Sequence, residues 1–186
     1  MSDTRHPPVG PAPPRDPRRP WSVPEGPRDT TLHVVWQQVD AALTDELVAF
    51  WTGANALSPE VARGRAPEVA VVARDASGAI VAVSSAVAKF SPALRVKLFH
   101  TRVFVAQPAR RQRLAMEVFA TARDTLEDAW LDGLDPECIG LLVEVESPLL
   151  KAHRNQAVWE TGPVFVGRNA RGDHIRVYWF SGARIT

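Results

Sequence analysis

Apolar and polar positions change period several times along this chain, and each change marks an element. Leu32, Val34 and Trp36 alternate with polar or neutral neighbours, which predicts a half-buried strand over 32–37. Thr44, Asp45 and Glu46 then place a cap and acidic residues ahead of Leu47, Val48, Phe50 and Trp51 at helical spacing, so a helix should run from Thr44 to Gly53. Ser58-Pro59-Glu60 repeats the start signal, with proline at the first helical position, and opens a short helix that ends near Gly64.

Residues 69–73 and 80–88 are small or β-branched runs separated by Asp75-Ala76-Ser77-Gly78, which reads as a hairpin. After Ser91-Pro92 a third such run, 96–105, continues the antiparallel meander. Leu114, Ala115, Val118, Phe119, Ala122, Leu126 and Trp130 then recur at steps of three and four, with Glu117, Arg123, Asp124, Glu127 and Asp128 on other faces. Gly133 and Pro136 end that helix. The near-continuous apolar run 139–145 suits a strand covered on both faces and predicts a parallel crossover. Ser147-Pro148 starts a last helix that should reach Glu160, and 164–166 and 175–180 flank a turn at 169–173 as a closing hairpin. The order predicts an α/β fold of mixed, α+β type: a central, mostly antiparallel sheet flanked by helices on both faces.

Composition divides the chain in two. Nine of the 16 prolines fall between Pro7 and Pro27, together with Arg15, Arg18 and Arg19. Proline at that density removes backbone donors and favours extended conformations, so residues 1–30 are expected to be a disordered, proline- and arginine-rich tail rather than a docking peptide. The folded domain is then 31–186.

The 22 Lys+Arg against 21 Asp+Glu leave a formal charge of +1, which gives no global field for nucleic acid or an anionic membrane. Any anion site must be local. The single cysteine, Cys138, excludes an intrachain disulfide framework and reads as a small buried residue. No run is apolar and long enough to cross a bilayer and no secretory leader is present, so the expected location is cytoplasmic. His6, His33, His153 and His174 lack metal-ligand spacing, so no metal is expected.

The chemistry concentrates where the third meander strand runs into the long helix. Phe104-Val105-Ala106-Gln107-Pro108 leads into Ala109-Arg110-Arg111-Gln112-Arg113-Leu114-Ala115. Free amides and the positive end of the helix dipole converge at such a turn, and three arginines add charge, which suits a phosphate or pyrophosphate. The alternative is a solvated basic first turn, but arginine there opposes the dipole.

These residues resemble the acyl-CoA loop of the GNAT N-acetyltransferase superfamily, a pattern of Arg/Gln-x-x-Gly-x-Gly/Ala. Arg110 and Ala115 fit it, and Arg113 stands where the first glycine is expected. Asn155-Gln156-Ala157-Val158-Trp159-Glu160-Thr161-Gly162 resembles the family's segment after the fifth strand, with Trp159 near a tyrosine that often protonates the departing thiolate. An indole N–H donates a hydrogen bond but does not readily give up its proton. The resemblance covers roughly 31–180, and the order of elements carries it further than the motif does.

The resemblance implies an acyltransferase that moves an acyl group, acetyl first among the candidates, from acyl-CoA to an amine of a small molecule or protein. Arg110, Arg111, Gln112, Arg113, Leu114 and Ala115 would hold the pyrophosphate, Val103, Phe104 and Val105 the pantetheine, and Asn155 would also face the donor. By the period of two, His100 and Arg102 share a face of one strand, and Glu144 and Glu146 share a face of another. His100, Glu144 or Glu146 would accept the amine proton. The alternative at this point is a buried ion pair between Arg102 and a glutamate, without catalysis. Two other readings stay open: a degenerate relative that binds without turnover, motivated by Arg113 and Trp159, and a relative using long-chain acyl-CoA or acyl-carrier protein. A second copy of the chain is admitted as a partner.

Overall fold

The β-branched runs in the middle of the chain form the spine of the sheet. The computed structural model describes residues 30–110 and 113–185. The proline-rich tail expected over 1–30 lies outside the described residues except for Thr30, as do Arg111 and Gln112. Strands β2 (Val69–Asp75), β3 (Ile80–Ser91) and β4 (Val96–Val105) form the expected antiparallel meander. Asp75 closes the first hairpin, its carboxylate accepting from the N–H of Ser77 at 2.9 Å and of Ala79 at 3.1 Å.

Strand β1 (Thr30–Val34) pairs antiparallel with β2. It starts and stops earlier than the expected 32–37, because the chain turns at Gln37, where φ is +59°. Trp36 leaves the strand and packs into the core. Helix α1 (Ala41–Gly53) also begins a turn before the expected Thr44. Asp40 is its cap, accepting from the N–H of Leu43 at 2.8 Å, and the Thr44 hydroxyl donates to the Asp40 carbonyl at 2.7 Å. Helix α2 (Pro59–Arg65) is capped by Ser58 as its sequence indicates.

Helix α3 (Leu114–Leu131) crosses to β5 (Cys138–Val145), which lies parallel to β4. Helix α4 (Pro148–His153) is followed by the hairpin of β6 (Val164–Arg168) and β7 (His174–Trp179). The seven strands stand in the order β1-β2-β3-β4-β5-β7-β6, and every neighbouring pair except β4 and β5 is antiparallel.

Each face of the sheet has its own core. Leu114, Val118, Phe119, Ala122 and Leu126 of α3 cover one face, against Val71, Ala82, Phe99, Val105, Leu141 and Tyr178. Leu47 and Trp51 of α1 and Ala62 of α2 cover the other, against Val69, Val72 and Val83. Gly140 is required where β5 meets β7, since a Cβ there would run into the Tyr178 carbonyl oxygen. Among the described residues no helix is long and apolar enough to cross a membrane.

Candidate functional site

Strands β4 and β5 meet at one end and part at the other. Their parallel register runs from Lys97 opposite Cys138 to Thr101 opposite Val143 and then stops. β4 continues beside β3 up to Val105, which pairs with Ala82, and β5 continues beside β7 up to Val145, which pairs with His174. A wedge therefore opens between residues 102–105 and 144–145.

The antiparallel ladder fixes which main-chain groups face that wedge. Ala106 donates to the Val81 carbonyl at 2.9 Å, and residues of such a ladder alternate between facing their partner and facing away. Arg102 and Phe104 thus bond towards β3, while Val103 and Val105 turn their N–H and C=O towards the wedge. Phe104, expected to serve the donor, instead sets its ring edge-on to Phe50 of α1 at 5.5 Å. Arg110 folds back so that its Nε donates to the Val105 carbonyl at 3.0 Å.

The turn between β4 and α3 delivers the helix start to the mouth of the wedge. A single 3₁₀ turn, Gln107–Ala109, precedes Arg110. Arg113 is the residue before the helix, and its φ is +87°, the left-handed region that glycine occupies without cost. Arg113 thus holds a backbone conformation that glycine would adopt freely. No side chain caps α3, and the Arg113 carbonyl accepts from Met116 and Glu117 at 2.8 and 2.9 Å. The N–H groups of Leu114 and Ala115 have no acceptor among the described residues. Glu117 sits in the same turn; burial raises its carboxyl above the usual range, and the nearby charge of Arg113 opposes that shift.

On the opposite face of the sheet lie His100 and Arg102 of β4 and Glu144 of β5, with Glu146 just past the end of that strand. His100 pairs with Leu142 in the register, and its Nε2 is buried without a hydrogen-bond partner. Burial lowers the imidazole below its ordinary value, Lys89 and Arg102 add to this, and Glu144 opposes it. Arg102 forms no ion pair with a glutamate among the described residues, because the strands have already parted at its level. Arg171, from the β6–β7 turn, reaches Glu144 at 3.3 Å, Glu146 at 3.2 Å and Asp173 at 3.0 Å. These contacts are solvated: the Glu144 and Glu146 side chains are 39% and 69% exposed.

The segment after β5 departs from the expected helix to Glu160. Helix α4 ends at His153 because the carbonyls that would extend it are taken. Arg154 O accepts from the Trp159 indole at 2.9 Å and from Arg176 at 3.3 Å, and Gln156 O accepts from Arg176 at 2.8 Å. The Arg176 guanidinium lies 4.3 Å from the Trp159 ring centroid. Residues 157–165 instead form a tight loop, with Phe165 donating to Ala157 O and Trp159 to Pro163 O. Asn155, just ahead of this loop, is exposed. The Tyr178 hydroxyl donates to Glu127 at 2.9 Å under α3, so neither aromatic polar group is free for the wedge. Nothing in the local pattern marks Arg176 or Glu127 as groups that hold these elements in place. Arg171 has a local signal, its place in the turn Asn169-Ala170-Arg171-Gly172-Asp173.

No family model matches the sequence, and no curated protein matches it. Solved structures do. The acetyltransferase of GNAT family from Streptococcus pneumoniae superposes with a TM-score of 0.58 at 13% identity, over 82% of this chain and all of that one. The GNAT family N-acetyltransferase YhbS from Escherichia coli, solved in complex with CoA, gives 0.56 at 11% identity over 86% of each chain. The ribosomal-protein-S18-alanine N-acetyltransferase from Escherichia coli gives 0.52 at 15% identity, over 83% of this chain and 96% of that one. With its wedge between the parallel β4 and β5 and its helix start at the mouth, this chain has the fold of the GNAT acetyltransferases.

Proposed function

We propose that this protein is an N-acyltransferase that takes an acyl group from acyl-CoA to an amine. The observation that carries the reading is the wedge: β4 parts from β5 while Val103 keeps an N–H and a C=O directed into the space between them. An extended arm bearing amides, such as pantetheine, pairs with such an edge as another strand would.

The residues fit the rest of an acyl-CoA. Leu114 and Ala115 offer N–H groups at the positive end of an 18-residue helix, which favours a pyrophosphate. Arg110 is held by its Nε, so both terminal nitrogens of its fork point away as anion donors. Val103 and Val105 carry the main-chain role within the expected trio. Arg111 and Gln112 complete the loop in this reading, and Asn155 stands at the rim.

At the reacting end an amine nitrogen attacks the thioester carbonyl and must lose a proton. His100, kept neutral by burial, can accept it, directly or through a water, and so can Glu144 once Arg171 moves aside. Glu146, beside it, attracts a cationic acceptor. The departing thiolate needs no assigned acid, since a thiol of pKa about 8.5 is already a fair leaving group near neutrality.

A second reading is favoured by one observation: Arg171 occupies both Glu144 and Glu146, as a module that binds without turnover would allow. Titration calorimetry with acetyl-CoA, followed by thiol release with a panel of amines, separates the two. Binding with release supports the enzyme, binding without release supports the module, and no heat at millimolar acetyl-CoA overturns both. A donor series from acetyl to long-chain and carrier-bound groups then defines the donor.

A further inference from the structure

The two largest side chains that the fold buries completely are both arginines, Arg123 and Arg176. Arg123 is paired with Asp124 at 2.7 Å. Arg176 is 0% exposed and forms no ion pair among the described residues. Its acceptors there are two main-chain carbonyls, those of Arg154 and Gln156, both reached through one terminal nitrogen. Its Nε and its other terminal nitrogen are buried without a partner. A charge held in the interior without a counter-charge is costly, and arginine does not shed its proton to relieve it.

The register of the sheet sets this charge level with the apex of the wedge. Arg176 stands opposite Val143, and Val143 opposite Thr101, the last pair before β4 and β5 part. Two residues along each strand, Phe99, Leu141 and Tyr178 join the core under α3, so Thr101, Val143 and Arg176 lie on that same face. Arg176 is therefore one strand spacing, about 5 Å, from β5 and about 10 Å from β4. The Trp159 ring, 4.3 Å from the guanidinium, covers it, and the same loop is tied to α3 where Arg123 donates to the Thr161 carbonyl at 2.6 Å.

Acyl transfer creates one negative charge. The amine nitrogen bonds to the thioester carbonyl carbon, its proton passes to His100 or Glu144, and the C–S bond breaks with its electron pair on sulfur. The product amide is neutral and the CoA sulfur is left as a thiolate. A donor whose pyrophosphate lies at the start of α3 runs along the α3 face, and its arm goes no deeper than Thr101 and Val143, where the strands close. The sulfur then sits on the side of the sheet that holds the unpaired guanidinium.

We propose that Arg176 supplies the positive field that receives the departing thiolate, an inference that rests on the N-acyltransferase reading above. A fixed charge shielded from water stabilises a developing anion without transferring a proton. It does so where the Trp159 indole and the Tyr178 hydroxyl are both engaged elsewhere.

The test titrates the thiol of bound CoA by the ultraviolet absorbance of its thiolate, as the difference from the ligand-free chain. In the natural protein the bound thiol should titrate about one unit or more below free CoA, the effect of an opposite charge close by. Arg176→Met and Arg176→Gln should return it to the free value, and Arg176→Lys should keep it low. Met fills the buried space and Gln keeps a donor for the Gln156 carbonyl, so failure of one neutral variant to fold leaves the other to decide. Turnover of acetyl-CoA should drop about 100-fold in the neutral variants while its affinity changes little, as loss of a transition-state charge contact requires. CoA that binds with an unshifted thiol overturns the role of Arg176 and leaves the functional reading standing. A lowered value that survives in both neutral variants overturns it too. Absence of CoA binding to the natural protein overturns the functional reading and this inference together.

Discussion

Arg110 donates from Nε to the main-chain carbonyl of Val105 at 3.0 Å, tying the turn ahead of α3 to the strand it leaves. The contact fixes the guanidinium in place and leaves its outer nitrogens for a ligand. Arg110→Ala should therefore weaken acetyl-CoA binding about tenfold, the worth of one charge-assisted contact. Calorimetry that shows an unchanged affinity would remove Arg110 from the site.

Arg113 holds a left-handed backbone with φ +87°, which costs an L-residue about 1 kcal/mol relative to glycine. Arg113→Gly should stabilise the protein by up to about that amount, read as a higher urea midpoint at constant slope. A lower midpoint would show that the side chain earns its strain through contacts.

Tyr178 is the only tyrosine, and its hydroxyl is committed to Glu127, which also accepts from the Ser181 N–H. Burial and that carboxylate push the phenol well above its usual range, so it is a poor acid for catalysis. Tyr178→Phe should cost about 1–2 kcal/mol of stability by orphaning a buried acceptor, with turnover retained in the folded variant. A stable but inactive variant would return the tyrosine to the mechanism.

The imidazoles of His100 and His174 are both held low, chiefly by burial, with neighbouring cations adding to it. The unfolded chain, titrating near 6.5, then binds protons that the folded chain refuses. Stability should fall as the pH drops from about 6.5 towards the lower folded values and level off beneath them. His100→Gln should flatten this slope without removing it, because His174 remains. Chemical denaturation between pH 7 and 5 measures it; equal slopes would place His100 in an ordinary solvated setting.

Gly140→Ala drives a Cβ into the Tyr178 carbonyl across the β5–β7 ladder, with backbone on both sides and no flexible group to yield. A loss of about 3 kcal/mol is expected, at the upper end of the cost of overpacking. A thermal midpoint within a degree of the parent would mean the two strands can separate freely.

The sequence was most legible where a pattern is strictly local. β4 runs over 96–105 as its β-branched content indicates, and α3 begins at Leu114 where the apolar stripe does. Starts marked by a short polar side chain were read less well. Thr44 and Asp40 both lie where a cap could act, and only tertiary placement shows Asp40 receiving the Leu43 N–H. Helix α4 failed for a longer-range reason. Local signals favour its continuation to Glu160, but Arg176, on a strand 20 residues from Gln156, draws that carbonyl away. In the site, strand alternation puts His100 and Arg102 on one face of β4 and Glu144 on one face of β5, yet it could not show where the strands part. Nor could it show that the cation reaching the two glutamates comes from the β6–β7 turn.

The closed end of the wedge deserves a mechanical reading. Lys97, at the first register pair of β4 and β5, is tied to Asp135 at 2.9 Å and to Glu137 at 3.4 Å, just ahead of β5. That knot closes the seam at its lower end. β1 to β4 form one arm, and β5, β7 and β6 form the other, joined in the sheet by a short parallel seam. The seam holds only from Lys97 opposite Cys138 to Thr101 opposite Val143, so the width of the slot at Val103 and Val105 is set by where this short pairing ends.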